Sequence, residues 1–289
     1  MRAVVPFLVA LAFLAGPLRG QDESDASEAP SRRWKLFPSG DLYPRYLANP
    51  DAPATGVTLQ FFSSTEIDQA GDRRQHVKLG GSFPLVGWGG RRPGGRRWHL
   101  RLDGALDAQF DPSNQTDNTG WDGNYGLMVV SDREEGGLAF RVGTFHISAH
   151  LGDEWILRTG RERINYRREE LLAGVAWVWG EGDRVYLEGG WAYDVLSPLQ
   201  ERLRIEAGIE FEGAARWLPA ATGWYVALDL SAWEERDWTL DTGAQIGLVT
   251  RPHGRTWRLG IQYWDGRVPL GEFFLETEAY LALGLWTEL

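Results

Sequence analysis

His146, Ser148 and His150 alternate with Ile147 and Ala149 in LAFRVGTFHISAHLGDE, residues 138–154. Residues two apart on an extended chain share one face. An imidazole so placed can take a serine hydroxyl proton and leave a nucleophilic oxygen. A third polar group holding the other ring nitrogen would complete a hydrolytic triad. In that chemistry Ser148 is the nucleophile, His146 the base and Asn165, from RINYRREELLAGVAWVW (163–179), the orienter. His150 is a second candidate base, and backbone amides near Gly152 are candidate oxyanion donors. Asp153 and Glu154 follow at once and offer hard oxygen ligands to Ca²⁺, although two carboxylates in a solvated turn look the same in sequence.

Whether this chemistry can run depends on which face carries it. The clearest neighbour is RRWHLRLDGALDAQF, residues 96–110, where Trp98, Leu100, Leu102, Leu106 and Phe110 alternate with Arg97, His99, Arg101, Asp103, Asp107 and Gln109. Such alternation marks a strand with one apolar face. Twelve segments follow the rule: 55–63, 75–88, 96–110, 121–131, 137–150, 164–179, 184–195, 202–212, 222–233, 238–250, 255–264 and 273–286. Soluble strands centre on about 5–6 residues, whereas a tilted strand needs about 9–11 to cross a bilayer. A soluble sandwich or lipocalin-like barrel also alternates, but these runs are longer and their apolar faces nearly unbroken. The pattern predicts an all-β fold, a single antiparallel transmembrane barrel of about twelve strands with the polar face inside.

Arg141 sets the register of 137–150. A guanidinium at the midplane of a barrel's lipid face costs about 2–4 kcal/mol. Arg141 is therefore expected inside with Leu138, Phe140 and Val142 outside, which carries His146, Ser148 and His150 outward too. The competing face, Phe145, Ile147, Ala149 and Leu151, is itself apolar, so a bulge would reverse the reading. On the next strand Arg167 and Glu169 fall on the outward face with Asn165.

The remaining composition excludes other chemistry. The 289 residues contain no cysteine, which removes thiol catalysis, disulfides and Cys-ligated zinc. A net charge of −10 gives no basic face for nucleic acid. MRAVVPFLVALAFLAGPLRG reads as a cleaved signal peptide, residues 1–20, with a polar leader at 21–33. Residues 34–54 are expected to be a periplasmic N-terminal segment packed at the mouth of a barrel formed by 55–289.

FHIS and RINYR resemble outer-membrane phospholipase A. That resemblance implies a serine lipid hydrolase and a Ca²⁺-dependent homodimer, with Ser148, His146 and Asn165 as its catalytic set and outer-membrane lipids as its partners. Lipid A 3-O-deacylase has a similar His-x-Ser pair with a glutamate, which on this chain would be Glu154 or Glu162. The whole mature chain resembles an uncharacterised family of bacterial exported proteins, marked by LFPSGDLYPRYLANPDAP (36–53), HISAHLGDE (146–154) and INYRREEL (164–171). Two functions stay open: an outer-membrane lipid hydrolase, or a non-catalytic barrel, a narrow porin or structural protein, whose lumen is lined by Arg101, Asp103, Arg141, Glu206 and Glu210.

Overall fold

The structure, a computed structural model, describes residues 34–90, 95–133, 136–180, 182–215 and 222–288. The expected signal peptide and leader lie outside the described residues. The strands are β1 (Trp34–Leu36), β2 (Thr55–Thr65), β3 (Arg73–Gly89), β4 (Arg96–Asp111), β5 (Asp117–Arg133), β6 (Gly137–Leu151), β7 (Arg167–Trp179), β8 (Asp183–Val195), β9 (Leu203–Ala214), β10 (Thr222–Trp233), β11 (Leu240–Thr250), β12 (Trp257–Arg267) and β13 (Thr277–Thr287), with one helix, α1 (Asp153–Thr159), after β6. Each of β2 to β13 pairs antiparallel with its neighbours, and β13 pairs with β2, so twelve strands close a barrel. The short β1 adds to the far end of β3. No described helix is long and apolar enough to cross a membrane.

Alternation carries through to burial. Leu102, Leu106, Val142, Leu187, Ile205, Ile261, Leu281 and Leu283 are exposed on the outside, while Arg101, Asp103, Arg141, Glu206 and Glu210 are buried inside. A shift in pairing between Pro84 and Val86 exchanges the faces of β3, so Val86 and Trp88 join Phe83 outside. Trp88 stacks there on Trp98 and lies 5.2 Å from Trp34, ring centre to ring centre, part of an aromatic belt of the kind that marks a membrane interface.

The lumen holds an inserted segment. Residues 37–54 do not stop at the mouth as expected; they run into the barrel. Four prolines break any periodicity there, so the backbone finds no ladder, and wall side chains must satisfy it instead. The Leu47 N–H donates to Glu210 at 2.8 Å, Arg101 donates to the Tyr43 carbonyl at 2.7 Å, and Arg184 to the Pro44 carbonyl at 2.6 Å. Lys78 donates to the Ala52 carbonyl at 2.9 Å. Tyr46 stacks on Tyr186 with centres 3.9 Å apart and gives its hydroxyl to Glu188 at 2.9 Å. Between segment and wall remain a cavity of about 70 Å³, bordered by Arg141, Glu188, Arg204 and Glu206 among others, with room for a few waters, and one of about 410 Å³ bordered by Pro38, Asp41, Ser82 and Glu288 among others.

The end reached by β6 is also covered. Ile67, Leu151, Trp155, Val268, Leu270 and Phe273 form one buried cluster, drawn from three connections that fold over the opening. Glu272 ties them together by accepting from the Ile164 N–H at 2.7 Å and the Asn165 N–H at 3.0 Å. Phe273, expected from sequence to begin the last strand (273–286), is instead buried in this cap, and the strand begins at Thr277.

Candidate functional site on the outer face of strands five to eight

Inside the barrel, Arg141 Nε lies 2.7 Å from Glu188 Oε2. Phe145 packs on the buried cluster of Tyr43, Tyr46 and Met128, and Ile147 on that of Tyr166 and Phe274. Odd residues of β6 thus point inward to its end, and His146, Ser148 and His150 point outward. They face β5 on one side, where His146 pairs with Tyr125, Ser148 with Gly123 and His150 with Trp121. On the other side His146 pairs with Glu169 and Ser148 with Arg167 of β7.

These pairings build the site. His146 Nδ1 is 2.6 Å from Glu169 Oε1. With the carboxylate ionised, Nδ1 carries the proton and Nε2 keeps its lone pair for an incoming hydroxyl proton. The His146 ring lies 4.6 Å from that of Tyr125, and His150 stacks on Trp121 at 4.2 Å. Between these two aromatic pairs Gly123 has no side chain. A Cβ there would stand 3.7 Å from Trp121 Cζ3 and 3.8 Å from Ser148 Oγ. The serine hydroxyl therefore borders a notch one side chain wide. Among the described residues no hydrogen bond joins Ser148 Oγ to His146; catalytic hydrogen bonds often tighten only around substrate.

The other sequence candidates lie elsewhere. Asn165 precedes β7, has a left-handed backbone (φ 59°) and gives its N–H to Glu272. Its strand parity does not apply, because the strand starts at Arg167. The group at Nδ1 is Glu169, in place of Asn165 or the alternatives Glu154 and Glu162. Gly152 donates its N–H to the Thr119 carbonyl at 3.3 Å, so that amide is already committed. Asp153 and Glu154 occupy successive positions in the first turn of α1, both exposed. Successive helical side chains diverge by roughly 100°, so the two carboxylates do not converge on one ion. Among the described residues no group of three or more His, Asp or Glu could hold a metal. Among the described residues no third carboxylate or imidazole joins Asp153 and Glu154, so the six to eight oxygens that Ca²⁺ takes do not gather there. Glu169 was visible in sequence as an outward residue; that it stands beside His146 follows from the register of β6 on β7.

The model of the family described as "Protein of unknown function (DUF1207)" matches residues 26–288. The chain belongs to that family. A search of curated protein sequences finds no match. Among solved structures, outer membrane phospholipase A from Escherichia coli superposes with TM-score 0.53 at 13% identity, over 81% of this chain and 90% of that one. The Salmonella typhi outer membrane phospholipase, a dimer with bound calcium, gives 0.54 at 14%, over 86% and 93%. A porin, KdgM, gives 0.39 at 8%, over 81% and 99%. At these identities the two phospholipases share the fold, an outer-membrane-type barrel.

Proposed function

We propose that this member of the family is an outer-membrane serine hydrolase that cleaves acyl esters of outer-leaflet lipids. The observation that carries the reading is the 2.6 Å contact of His146 Nδ1 with Glu169 on the outward face, with Ser148 two residues along the same strand. A carboxylate and an imidazole turned toward hydrocarbon are costly. Orienting a general base is a use that accounts for both.

In this scheme the lipid's ester group enters the notch beside Gly123. Ser148 Oγ attacks the carbonyl carbon, and its proton passes to His146 Nε2. The tetrahedral intermediate collapses, the C–O bond to the leaving alcohol breaks, and that alkoxide takes the proton from His146. Water, deprotonated in turn by His146, releases the fatty acid and restores Ser148. Glu169 keeps the ring in the reactive tautomer throughout and stabilises the imidazolium. Export by the N-terminal signal peptide would place the barrel in the outer membrane. The connections of β6 to β7 and β12 to β13 are long and capped, as extracellular loops are, which supports a site in the outer leaflet.

A porin needs a conduit, and both the segment 37–54 and the cap at the other end oppose one. The dimeric state of the Salmonella phospholipase supports a homodimer here; its calcium is not carried over.

The test is fatty-acid release from phospholipid–detergent micelles. Wild type should release fatty acid, and Ser148→Ala should fall to background while keeping the heat-modifiable migration of a folded barrel. Release undiminished in Ser148→Ala contradicts the proposal.

A further inference from the structure

Ester cleavage at Ser148 develops a negative charge on the carbonyl oxygen, and a donor must meet it. The usual source is a backbone amide, and here that source is closed. Ser148 sits inside β6, which has β5 on one side and β7 on the other. N–H groups of such a strand lie in the plane of the sheet and are consumed by the ladder. The following amide, Ala149, donates to the Tyr166 carbonyl at 3.0 Å, and Gly152 to Thr119.

A side chain is placed to do the work instead. Arg167 is the cross-strand partner of Ser148, which sets their Cβ atoms about 4.5–5.5 Å apart on the same outward face. One terminal nitrogen of Arg167 is held by Asp194 Oδ2 at 2.5 Å, which fixes the guanidinium without using its whole donor edge. Its Nε, shielded from solvent, has no hydrogen-bond partner among the described residues. The surface ion pair explains where the guanidinium is anchored; it does not explain the spare Nε–H one rung from a hydroxyl.

We propose that Arg167 is a further catalytic residue, whose guanidinium receives the oxyanion formed when Ser148 attacks the ester. This rests on the hydrolase reading above. As the Oγ–C bond forms, the carbonyl π pair moves onto oxygen beside the guanidinium. It returns when the leaving alkoxide departs with the proton from His146, and Arg167 itself neither gains nor loses a proton. Asp194 is a positioning residue that holds the fork in place.

The test compares Arg167→Met, Arg167→Lys and Ser148→Ala on the same micellar phospholipid, each checked for heat-modifiable migration. Arg167→Met should lower kcat by about 10²–10³-fold, the loss expected for one oxyanion donor, with KM changed little. Added guanidinium ion at millimolar concentration should restore part of the Arg167→Met rate and none of the Ser148→Ala rate, a response that a purely structural role would not give. Arg167→Lys keeps the charge, protects the fold if Met does not, and should fall between the two. If Ser148→Ala is inactive while Arg167→Met keeps its kcat, or if guanidinium rescues nothing, the role of Arg167 is overturned and the hydrolase stands. If Ser148→Ala keeps full activity, the hydrolase itself falls and Arg167 with it.

Discussion

Arg141 and Glu188 meet 2.7 Å apart inside the barrel, and that one ion pair settles which way β6 faces. Side chains of a strand alternate, so an arginine anchored inside turns His146 and Ser148 outward. Glu188 is also the hub of the lumen. It accepts from the Tyr46 hydroxyl of the inserted segment at 2.9 Å and from Arg204 at 2.8 Å.

Removing that hub strands the Arg141 guanidinium, while Arg204 keeps Glu170 at 2.5 Å and Glu206 at 3.1 Å. Breaking a buried pair by taking one partner costs about 3–5 kcal/mol. Glu188→Ala should lose that much in urea unfolding of the barrel in lipid vesicles, whereas the outward Leu281→Ala should lose clearly less. A loss below about 1 kcal/mol for Glu188→Ala would show that the network does not hold the inserted segment.

The inserted segment predicts electrical silence. In planar bilayers the wild-type barrel should show no steady ion conductance, because the segment 37–54 is bound to Glu210, Arg184 and Lys78 across the interior. Steady conductance of porin size would revive the porin reading.

Gly123 should act as the gate for substrate. A Cβ there stays 3.7 Å or more from its neighbours, so Gly123→Ala should fold and retain most activity. Gly123→Leu fills the notch, and should cut kcat/KM by about 10²-fold through displaced substrate with barrel migration unchanged. Full activity in Gly123→Leu would put the ester elsewhere.

Acid should loosen the end where the chain's last strand finishes. Burial pushes the Glu288 carboxyl up, but Arg258 and Arg45 outweigh it and hold the group below the ordinary glutamate range. A carboxylate depressed in the folded state contributes stability above the unfolded pKa of about 4.3 and loses it as pH falls through the folded value. Wild type should therefore exceed Glu288→Gln in unfolding free energy near neutrality, and the gap should close on acidification below about pH 4. A gap that persists unchanged in acid contradicts the role of Arg258 and Arg45.

The barrel was largely legible because membrane strands repeat one rule. The segment 222–233 coincides with β10, and 96–110 with β4 to within a residue. The inserted segment was not legible. Its prolines and glycine carry no period, and its partners are wall residues far away in sequence, such as Glu210 for Leu47. Ser148 and His146 stood out by spacing alone. The bond from Glu169 to His146 depends on how β6 and β7 are registered, and extending strand parity back to Asn165 overran the start of β7.

The central claim is that Ser148 is an activated nucleophile on the outer face. The most direct measurement is mass-spectrometric mapping of the barrel after treatment with a long-chain alkyl sulfonyl fluoride in detergent micelles. One sulfonyl adduct at Ser148, lost in His146→Ala and strongly slowed in Glu169→Ala, is the predicted result. A wild-type barrel that is folded and carries no adduct at Ser148, or labels equally without His146, contradicts the account.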